Sequence, residues 1–517
     1  MSIRMKEKVR SMRVLGHRQE AAGRLLTLSR GFGLGVGLGG ILTSALGQGY
    51  FPTVNPFVAT PSGTYQTGMG SRQQLLGNGN NGQQQEYDIK MGPVLANFTA
   101  GVTFTYQSNF GQVSSQSEVA AQSLFTIGPT IGVELQYQVS DSAVLTFGTA
   151  ISYQTSIGQL QYEQIGISPN SSLNYRFSID DVQISVLNTV STVNQATADP
   201  TISGTGPSSL MEFNRLSNST GLSAAWPFLR DTTLMGGYTY NLNTSIGRDN
   251  FQQFDSGTHQ FNMAVQQRLS SVVSVGILGT GNIVNYDSTD ISTFQGGALV
   301  RSSGQIQNGS SGWSIGPTFQ WTVTKAITAN ANLAYSSQRF SGGGLIADSS
   351  NFDGLTGSVG LNHQLTRTVT QSISGGRSIN SGNGSNFTEI YNANYQLLWN
   401  FMKRSALNFG FGFNRFAQSG AGFAYVLYDP TSPPPNYLYI NENGVAVVPL
   451  SSAQVGQQYL TSVGTTYTIA KNLMAGLSYM FTMNDLNQTF SIQSGTGSAA
   501  FGGYQAHNVI LSLAYQF

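Results

Sequence analysis

Two glycine motifs and a few histidines are the parts of this sequence whose types and spacing could do chemistry. Residues 35–40 (GVGLGG) match the pattern that binds a pyrophosphate, but only where a strand precedes it and a helix follows. Residues 312–316 (GWSIG) match the nucleophile elbow, which needs a sharp strand-to-helix turn. The first motif lies in an apolar leader and the second inside an alternating run, with Ser314 on its polar face. Neither context supports the chemistry.

The histidines and the absence of cysteine argue in the same direction. There are four histidines, and one of them, His17, lies in the leader. His259, His363 and His507 fall on apolar positions near strand ends, which favours a location at the membrane–water interface over a catalytic role. With no cysteine in the chain, disulfides, thiolate nucleophiles and cysteine-ligated metals are excluded. We therefore expect no enzyme activity, no metal site and no cofactor.

A set of polar residues recurs at every second position of the predicted strands, opposite an apolar face. Amides and hydroxyls dominate this set, and Glu134 and Arg176 are its fixed charges. Such groups exchange hydrogen bonds with hydrated solutes without holding them tightly. We predict that they line the lumen of a barrel: Asn97, Glu134, Arg176, Asn262, Gln266, Gln320, Asn330, Asn332, Asn392, Asn394 and Asn408.

Composition restricts the elements that could position these residues. Only 9% of the 517 residues are charged, too few for an ordinary soluble surface or a nucleic-acid groove. Hydrophobic residues make up 39% and the mean hydropathy is −0.10, which does not suit a bundle of membrane helices. Gly, Ser, Thr, Asn and Gln combined with 23 Tyr and 29 Phe favour β-structure between two environments.

The dominant pattern is an alternation of period two that begins at Val94. It predicts about eighteen strands, with sixteen as the alternative, and the connections between them alternate between short turns and long loops. A soluble β-sandwich explains single segments but not so many in phase. The fold class is all-β, a transmembrane antiparallel up-and-down β-barrel. Pro129 and Pro317 predict bulges inside their strands. The strands are expected to start near Val94, Leu124, Ala143, Ser172, Val182, Glu212, Asp231, Thr258, Val272, Gly312, Ala326, Gly354, Thr368, Phe387, Ser405, Gln457, Asn472 and His507.

Three segments follow from these patterns. Residues 1–47 have a basic start and a short Gly-rich apolar run, which predicts a secretory signal peptide. Residues 48–93 are rich in Gly, Asn, Gln and Pro and are expected to form a flexible periplasmic arm. Residues 94–517 are expected to form the barrel. Without the leader the chain has 16 basic and 21 acidic residues, a net charge of −5.

The last strand carries a resemblance to a known family. Alternating apolar residues end in Tyr515 and the terminal Phe517, and this resembles the assembly signal of Gram-negative outer-membrane barrels. Residues 171–191 (SSLNYRFSIDDVQISVLNTVS) and 91–93 (MGP) resemble the β-barrel porin family, although residues 106–109 (YQSN) keep only part of the motif expected after the first strand. The resemblance implies an outer-membrane location and passive transport. Its implied partners are membrane lipid, lipopolysaccharide and the barrel assembly machinery.

Two functions stay open at this point. The first is a porin-like channel for passive diffusion of small hydrophilic solutes with weak ion selectivity, because barrels of 16 to 18 strands leave an aqueous lumen. The second is a structural or surface-interaction barrel with an occluded lumen and partner-binding loops, and a homo-oligomer is compatible with both. Within the long loop 418–455, the pair Asn443 and Gly444 predicts a type I′ hairpin. We expect this hairpin to pack over the pore mouth or against a partner.

Overall fold

The computed structural model describes residues 89–110, 122–157, 163–168, 171–194, 214–246, 255–295, 298–341, 344, 348–381, 385–427, 439–440, 445–470, 472–485, 488–491, 498–501 and 503–517. The predicted signal peptide and all but the last few residues of the predicted arm lie outside this part of the chain. Among the described residues, no helix is long and apolar enough to cross a membrane.

The described residues form strands in nearly every segment. In chain order these are β1 (Ile89–Met91), β2 (Val94–Phe110), β3 (Gln122–Ser140), β4 (Ala143–Ser156), β5 (Glu163–Ile167), β6 (Ser172–Ile179), β7 (Val182–Asn194), β8 (Asn214–Leu229), β9 (Thr232–Ile246), β10 (Ser256–Arg268), β11 (Val273–Tyr286), β12 (Thr289–Gln295), β13 (Ala298–Gly304), β14 (Gly309–Thr324), β15 (Ile327–Ser341), β16 (Phe352–Gln364), β17 (Val369–Ser381), β18 (Phe387–Met402), β19 (Ser405–Leu427), β20 (Tyr439–Ile440), β21 (Val445–Ala470), β22 (Leu473–Asp485), β23 (Gln488–Ser491), β24 (Ser498–Phe501) and β25 (Tyr504–Gln516).

Eighteen of these strands close into a ring by antiparallel pairing, which confirms the predicted fold class and strand number. The ring closes where β2 pairs with β25, from Thr99 opposite Gln516 to Gln107 opposite Asn508. Closure leaves no unpaired strand edge, which is the condition for a sheet to lie in hydrocarbon. The ring order is β2, β3, β4, β6, β7, β8, β9, β10, β11, β14, β15, β16, β17, β18, β19, β21, β22 and β25.

The predicted strand starts agree with the ring strands, except for the segment expected from Gln457, which begins at Val445 as part of β21. Connections at one end of the ring are short, as between Ser140 and Ala143, and those at the other end are long. We call these the short-turn end and the long-loop end. In barrels of this kind the short turns face the periplasm.

The two faces of the ring differ in the way that lipid requires. One face exposes large apolar side chains such as Ile131 and Val359. Aromatic residues mark both ends of this outer face, for example Trp321 and Trp313 on β14. Eight residues of strand span about 26 Å, or about 20 Å along the axis at the usual tilt, close to the height of a lipid-facing band. These features place the barrel in an outer membrane.

The expected bulges at Pro129 and Pro317 are wrong. Pro129 stands opposite Val102 in an unshifted register, and Pro317 stands opposite Ile277 in the same way. Each proline lacks a pairing partner in the strand on its other side, which is β4 for Pro129 and β15 for Pro317. The register of these strand pairs is the same before and after the gap. A missing N–H therefore interrupts one ladder here without inserting a residue.

Short strands decorate the ring at both ends. β1, inside the predicted arm, folds back on β2, with Gly92 at a φ of 58° in the turn, a conformation that glycine adopts without strain. The expected hairpin in the long loop is present as β20 against β21, with Tyr439 opposite Val447. Its turn residues, including Asn443 and Gly444, lie outside the described residues. β20 also pairs with β12 through Ile440 and Ser292, so two loops share one sheet.

Candidate functional site

The inner wall of the barrel is the candidate site, and register places every predicted lumen residue on it. All eleven residues lie on strand positions that alternate with the exposed apolar face. Asn330 and Asn332 of β15, for example, stand opposite Gln320 and Thr318 of β14, while Phe319 and Trp321 point outward. The structure thus brings these side chains to one face.

The two charged residues of this wall lie on nearby strands. Glu134 of β3 stands between Asn97 and Gly148 in the ladder. Arg176 of β6 is exposed and stands opposite Ser185, which is buried. Between these two charges the wall of β4 carries small or uncharged residues. The charges therefore do not form a ring of one sign.

On β18 and β19 the exposure of the inner wall changes from the short-turn end to the long-loop end. On β19, Asn408 is exposed, whereas Asn414 and Phe416 are both 0% exposed. On β18, Gln396 is exposed and Ile390, which packs against Phe416, is 5% exposed. On these two strands the wall is therefore open towards the short turns and covered towards the long loops, whereas Ala225 and Met235 of β8 and β9 are buried near the short turns.

The loop residues that precede β14 lie at the long-loop end, where the inner wall of β18 and β19 is covered. Ile306, Gln307 and Asn308 are all buried, although they belong to a connection rather than to a ring strand. The backbone of Gln305 forms a bridge with Gly344 from the next long loop. Connections normally run over a surface, so buried loop residues show that this segment is packed against other parts of the chain.

A hydrogen-bond network, which we call the loop clasp, ties three long-loop connections to the upper part of β19. It consists of Asn308, Asp348, Ser350, Asn386 and Ser419. The Asp348 carboxylate accepts hydrogen bonds from Ser419 Oγ at 2.5 Å and from the backbone N–H groups of Asn386 and Ser350, both at 2.8 Å. Asn308 Nδ2 donates to Asn386 Oδ1 at 2.8 Å and to the Asp348 carbonyl at 3.2 Å. The carboxylate is the centre of the network.

The charge of Asp348 is stabilised by these donors. Partial burial alone would raise the pKa of the carboxyl, but the hydrogen bonds from Ser419, Asn386 and Ser350 outweigh it, so its pKa lies below the usual aspartate value. Asp348 is therefore ionised at neutral pH and holds the loops through charge-assisted bonds, which are the stronger class.

Some amide oxygens on the inner wall have no partner within the protein. Asn262 Oδ1, Asn394 Oδ1 and Asn414 Oδ1 are buried and accept no hydrogen bond from another described residue. Buried polar atoms without a protein partner are normally satisfied by water. The wall thus offers acceptors to water or to a hydrated solute.

An eighteen-stranded ring with an apolar outside and an amide-rich inside has the architecture of an outer-membrane porin. No family model matches the sequence, and a search of curated proteins finds no relative.

Solved structures similar in fold include a BenF-like porin from Pseudomonas fluorescens Pf-5, with 10% identity and a TM-score of 0.42 over 83% of this chain and 100% of that one. OccAB3 of Acinetobacter baumannii has 10% identity and a TM-score of 0.39, over 82% and 99% of the two chains. OmpT, an outer membrane protein of Vibrio cholerae, has 11% identity and a TM-score of 0.33, over 83% and 99%. The assignment of the fold rests on the strand pairings, not on these likenesses.

The residues considered for catalysis occupy structural positions. Ser314 lies in the middle of β14 and its Oγ is 2.7 Å from Thr280 Oγ1, so no nucleophile elbow forms. His259 and His507 lie on the outer face, each with Nδ1 at 2.8 Å from a tyrosine hydroxyl. His363 contacts Gln371 at 3.2 Å. Within the described ranges, no group of His, Cys, Asp or Glu could hold a metal ion.

Sequence reasoning missed the loop clasp. Asp348 and Asn386 lie in connections, and Ser419 lies where the register of β19 shifts between Ala417 and Ala421, so no periodic pattern marks them. Their partners are up to 78 residues away along the chain. The one available signal was the presence of short polar residues, Asn, Asp and Ser, at loop ends, which often bond to nearby backbone groups. That signal does not identify partners in other loops.

Proposed function

We propose that this protein is an outer-membrane channel for passive diffusion of small hydrophilic solutes. The observation that carries the proposal is the amide-rich inner wall of an eighteen-stranded ring, which is exposed at Asn408 and Gln396. A ring of this size leaves an aqueous lumen, whereas eight-stranded rings are filled by side chains. Hydrated solutes exchange hydrogen bonds with neutral amides at little cost.

The channel discriminates weakly between ions. Filters for ions use rings of like-charged side chains, and Glu134 and Arg176 have opposite signs. A slight cation preference comes from the overall acidic charge. A reversal potential under a salt gradient tests this feature. Strong selectivity of either sign would assign the filter to loop charges, and Glu134→Gln would then leave the potential unchanged.

Reconstitution of the purified barrel tests the channel itself. In planar bilayers we expect discrete, roughly ohmic conductance steps, and in liposomes we expect swelling in small sugars that falls off with solute size. A folded barrel that inserts but gives neither steps nor swelling contradicts the proposal.

A second candidate function is a barrel with an occluded lumen whose loops bind a partner. The observation that favours it is the complete burial of the inner wall around Phe416, together with the loop clasp. Both functions share the same fold, and they differ in whether the covered end leaves a path for solutes. Conductance separates them.

The C-terminal strand supports one further part of the proposal. Tyr515 and Phe517 are both exposed and their rings contact each other edge to face at 5.0 Å. We assign these two side chains to recognition by the barrel assembly machinery, because outward-facing aromatic residues at a strand end are available to a partner before the barrel closes.

A further inference from the structure

Charged side chains on the outer face of the ring are confined to one sector at the long-loop end. Among the described side chains of the ring strands, those that share the apolar outer face and are charged are Arg339, Asp353, Arg377, Glu389, Arg415 and Asp485. A charge facing lipid costs most at the bilayer centre and least near the interface. This sector must therefore lie at the level of the headgroups.

Three of the neighbouring residues form a row across adjacent strands. Arg377 of β17 stands opposite Tyr391 of β18, which stands opposite Arg415 of β19. Adjacent strands lie about 4.8 Å apart, so the two arginine Cα atoms are about 10 Å apart and their long side chains can converge above the tyrosine. The row places one arginine on each side of Tyr391 in the sheet.

The height of this row agrees with a headgroup position. Arg415 lies ten residues from Ser405, where β19 starts at the short-turn end. Ten residues of strand cover about 33 Å, or about 25 Å along the axis at the usual tilt, which is the height of the lipid-facing band. Tyr391 belongs to the aromatic residues at that boundary.

The partners of the two arginines differ. Arg377 is ion-paired with Glu389 at 3.1 Å, donates to the Leu355 carbonyl at 2.9 Å and lies 5.5 Å from the Tyr391 ring, but its Nε is buried without a hydrogen-bond partner. Arg415 is exposed and makes no hydrogen bond or ion pair with any described residue.

The acidic residues of the sector do not neutralise Arg415. Asp353 is paired with Arg339 at 2.6 Å. Glu389 is paired with Arg377 and also accepts a hydrogen bond from the Tyr391 hydroxyl at 3.2 Å, so its carboxylate is already engaged on the Arg377 side of the row. Asp485 is two strands away from Arg415 across Gln457, about 10 Å between Cα atoms. Among the described residues, Arg415 thus has no acidic partner, and the Nε of the nearby Arg377 has no acceptor.

We propose that Arg377 and Arg415, with Tyr391 between them, bind the phosphorylated headgroup of a glycolipid in the outer leaflet. Arginine presents a planar fork of donors that matches phosphate, and it remains charged at the membrane surface. A phosphate oxygen would supply the acceptors that Arg415 lacks, while the acyl chains lie along the apolar outer face. This inference rests on the membrane position of the barrel and is independent of channel activity.

Lipid binding by the full-length barrel in detergent tests the proposal. The probes are bisphosphoryl lipid A and the same lipid with both phosphates removed, followed by native mass spectrometry. Arg415→Gln should fold normally, because Arg415 makes no hydrogen bond or ion pair with any described residue. We expect R415Q and the double variant R377Q/R415Q to weaken binding of bisphosphoryl lipid A, the double variant by about tenfold or more.

The controls separate a specific site from general surface charge. R367Q/R404Q removes two exposed arginines from the short-turn end and should bind as the unmodified protein does. Heat-modifiable migration in gels reports whether each variant is folded, and if the double variant fails to fold, R415Q alone decides the outcome. Unchanged affinity in folded R415Q, or equal affinity for the dephosphorylated lipid, overturns the proposal.

Discussion

At the scale of single residues, Asp348 has the largest expected effect on the loops. Asp348→Asn keeps the shape of the side chain but removes the charge that accepts hydrogen bonds from Ser419, Asn386 and Ser350. Hydrogen bonds to charged groups contribute about 1.5–3 kcal/mol each, so local opening of the loops should become at least about tenfold more frequent. Limited proteolysis of the folded barrel measures this opening.

Asp353→Asn is the matched control for that variant. Asp353 also carries a carboxylate at the long-loop end, but both side chains of its ion pair with Arg339 are exposed. Such surface pairs contribute about 0–1 kcal/mol to the free energy of unfolding. If both variants are cleaved at the same rate as the unmodified protein, Asp348 does not hold the loops.

The pH dependence of the loop clasp follows from the lowered pKa of Asp348. A carboxyl whose pKa is lower in the folded state stabilises that state fully above its unfolded pKa, and this stabilisation is lost as the pH falls through the folded value. Loop cleavage by an acid-active protease should therefore be constant from neutral pH to about pH 5 and rise below about pH 4. The Asp348→Asn variant should lack this rise, and a rise of equal size in that variant would assign the transition to another group.

At the scale of elements, the hairpin of β20 and β21 is the feature most open to test. Replacing residues 429–449 by a short Gly-Ser turn removes the hairpin and its pairing with β12 through Ile440. We expect a higher single-channel conductance, because less loop remains at the covered end of the lumen. Removal of β23 and β24, which form a separate two-stranded sheet, should change conductance less. An unchanged conductance after the first deletion would favour partner binding as the role of the hairpin.

Substitutions in the last strand distinguish an effect on barrel stability from an effect on barrel assembly. Tyr515→Ala with Phe517→Ala removes two exposed rings but keeps the backbone pairing of β25 with β2 and β22. We expect less folded barrel in the outer membrane of cells and nearly unchanged refolding of the purified chain in detergent. An equal loss in both assays would mean that the two rings stabilise the barrel itself.

Strands were predictable because their signal is local. Alternation in a segment such as residues 313–323 indicates that one face of the strand contacts lipid. Because lipid is apolar, nearly every second residue of such a segment is apolar. The inner-face positions of residues such as Asn330 and Asn392 followed from the opposite phase. The loop clasp was not predictable, since Ser419 and Asp348 are 71 residues apart and pair only after the ring has brought their loops together. The unshifted register at Pro317 was also not predictable, because it is set by pairing with β11, whereas the local sequence predicted a bulge.

At the scale of the whole molecule, the strand pairings account for the closed ring, and the two faces account for its position in lipid and the polarity of its interior. The central claim is that the inner wall borders a water-filled path. Because the chain has no cysteine, single cysteines can be introduced without interference. Asn408→Cys places a thiol on the exposed inner wall, and Phe411→Cys places one on the outer face of the same strand.

The decisive measurement is the single-channel current of these two variants in planar bilayers before and after a charged, water-soluble thiosulfonate reagent. We predict conductance steps for both variants, and a stepwise fall in current on modification of Asn408→Cys only. Insertion of the folded barrel without conductance, or a current through Asn408→Cys that the reagent leaves unchanged, would contradict the proposed channel.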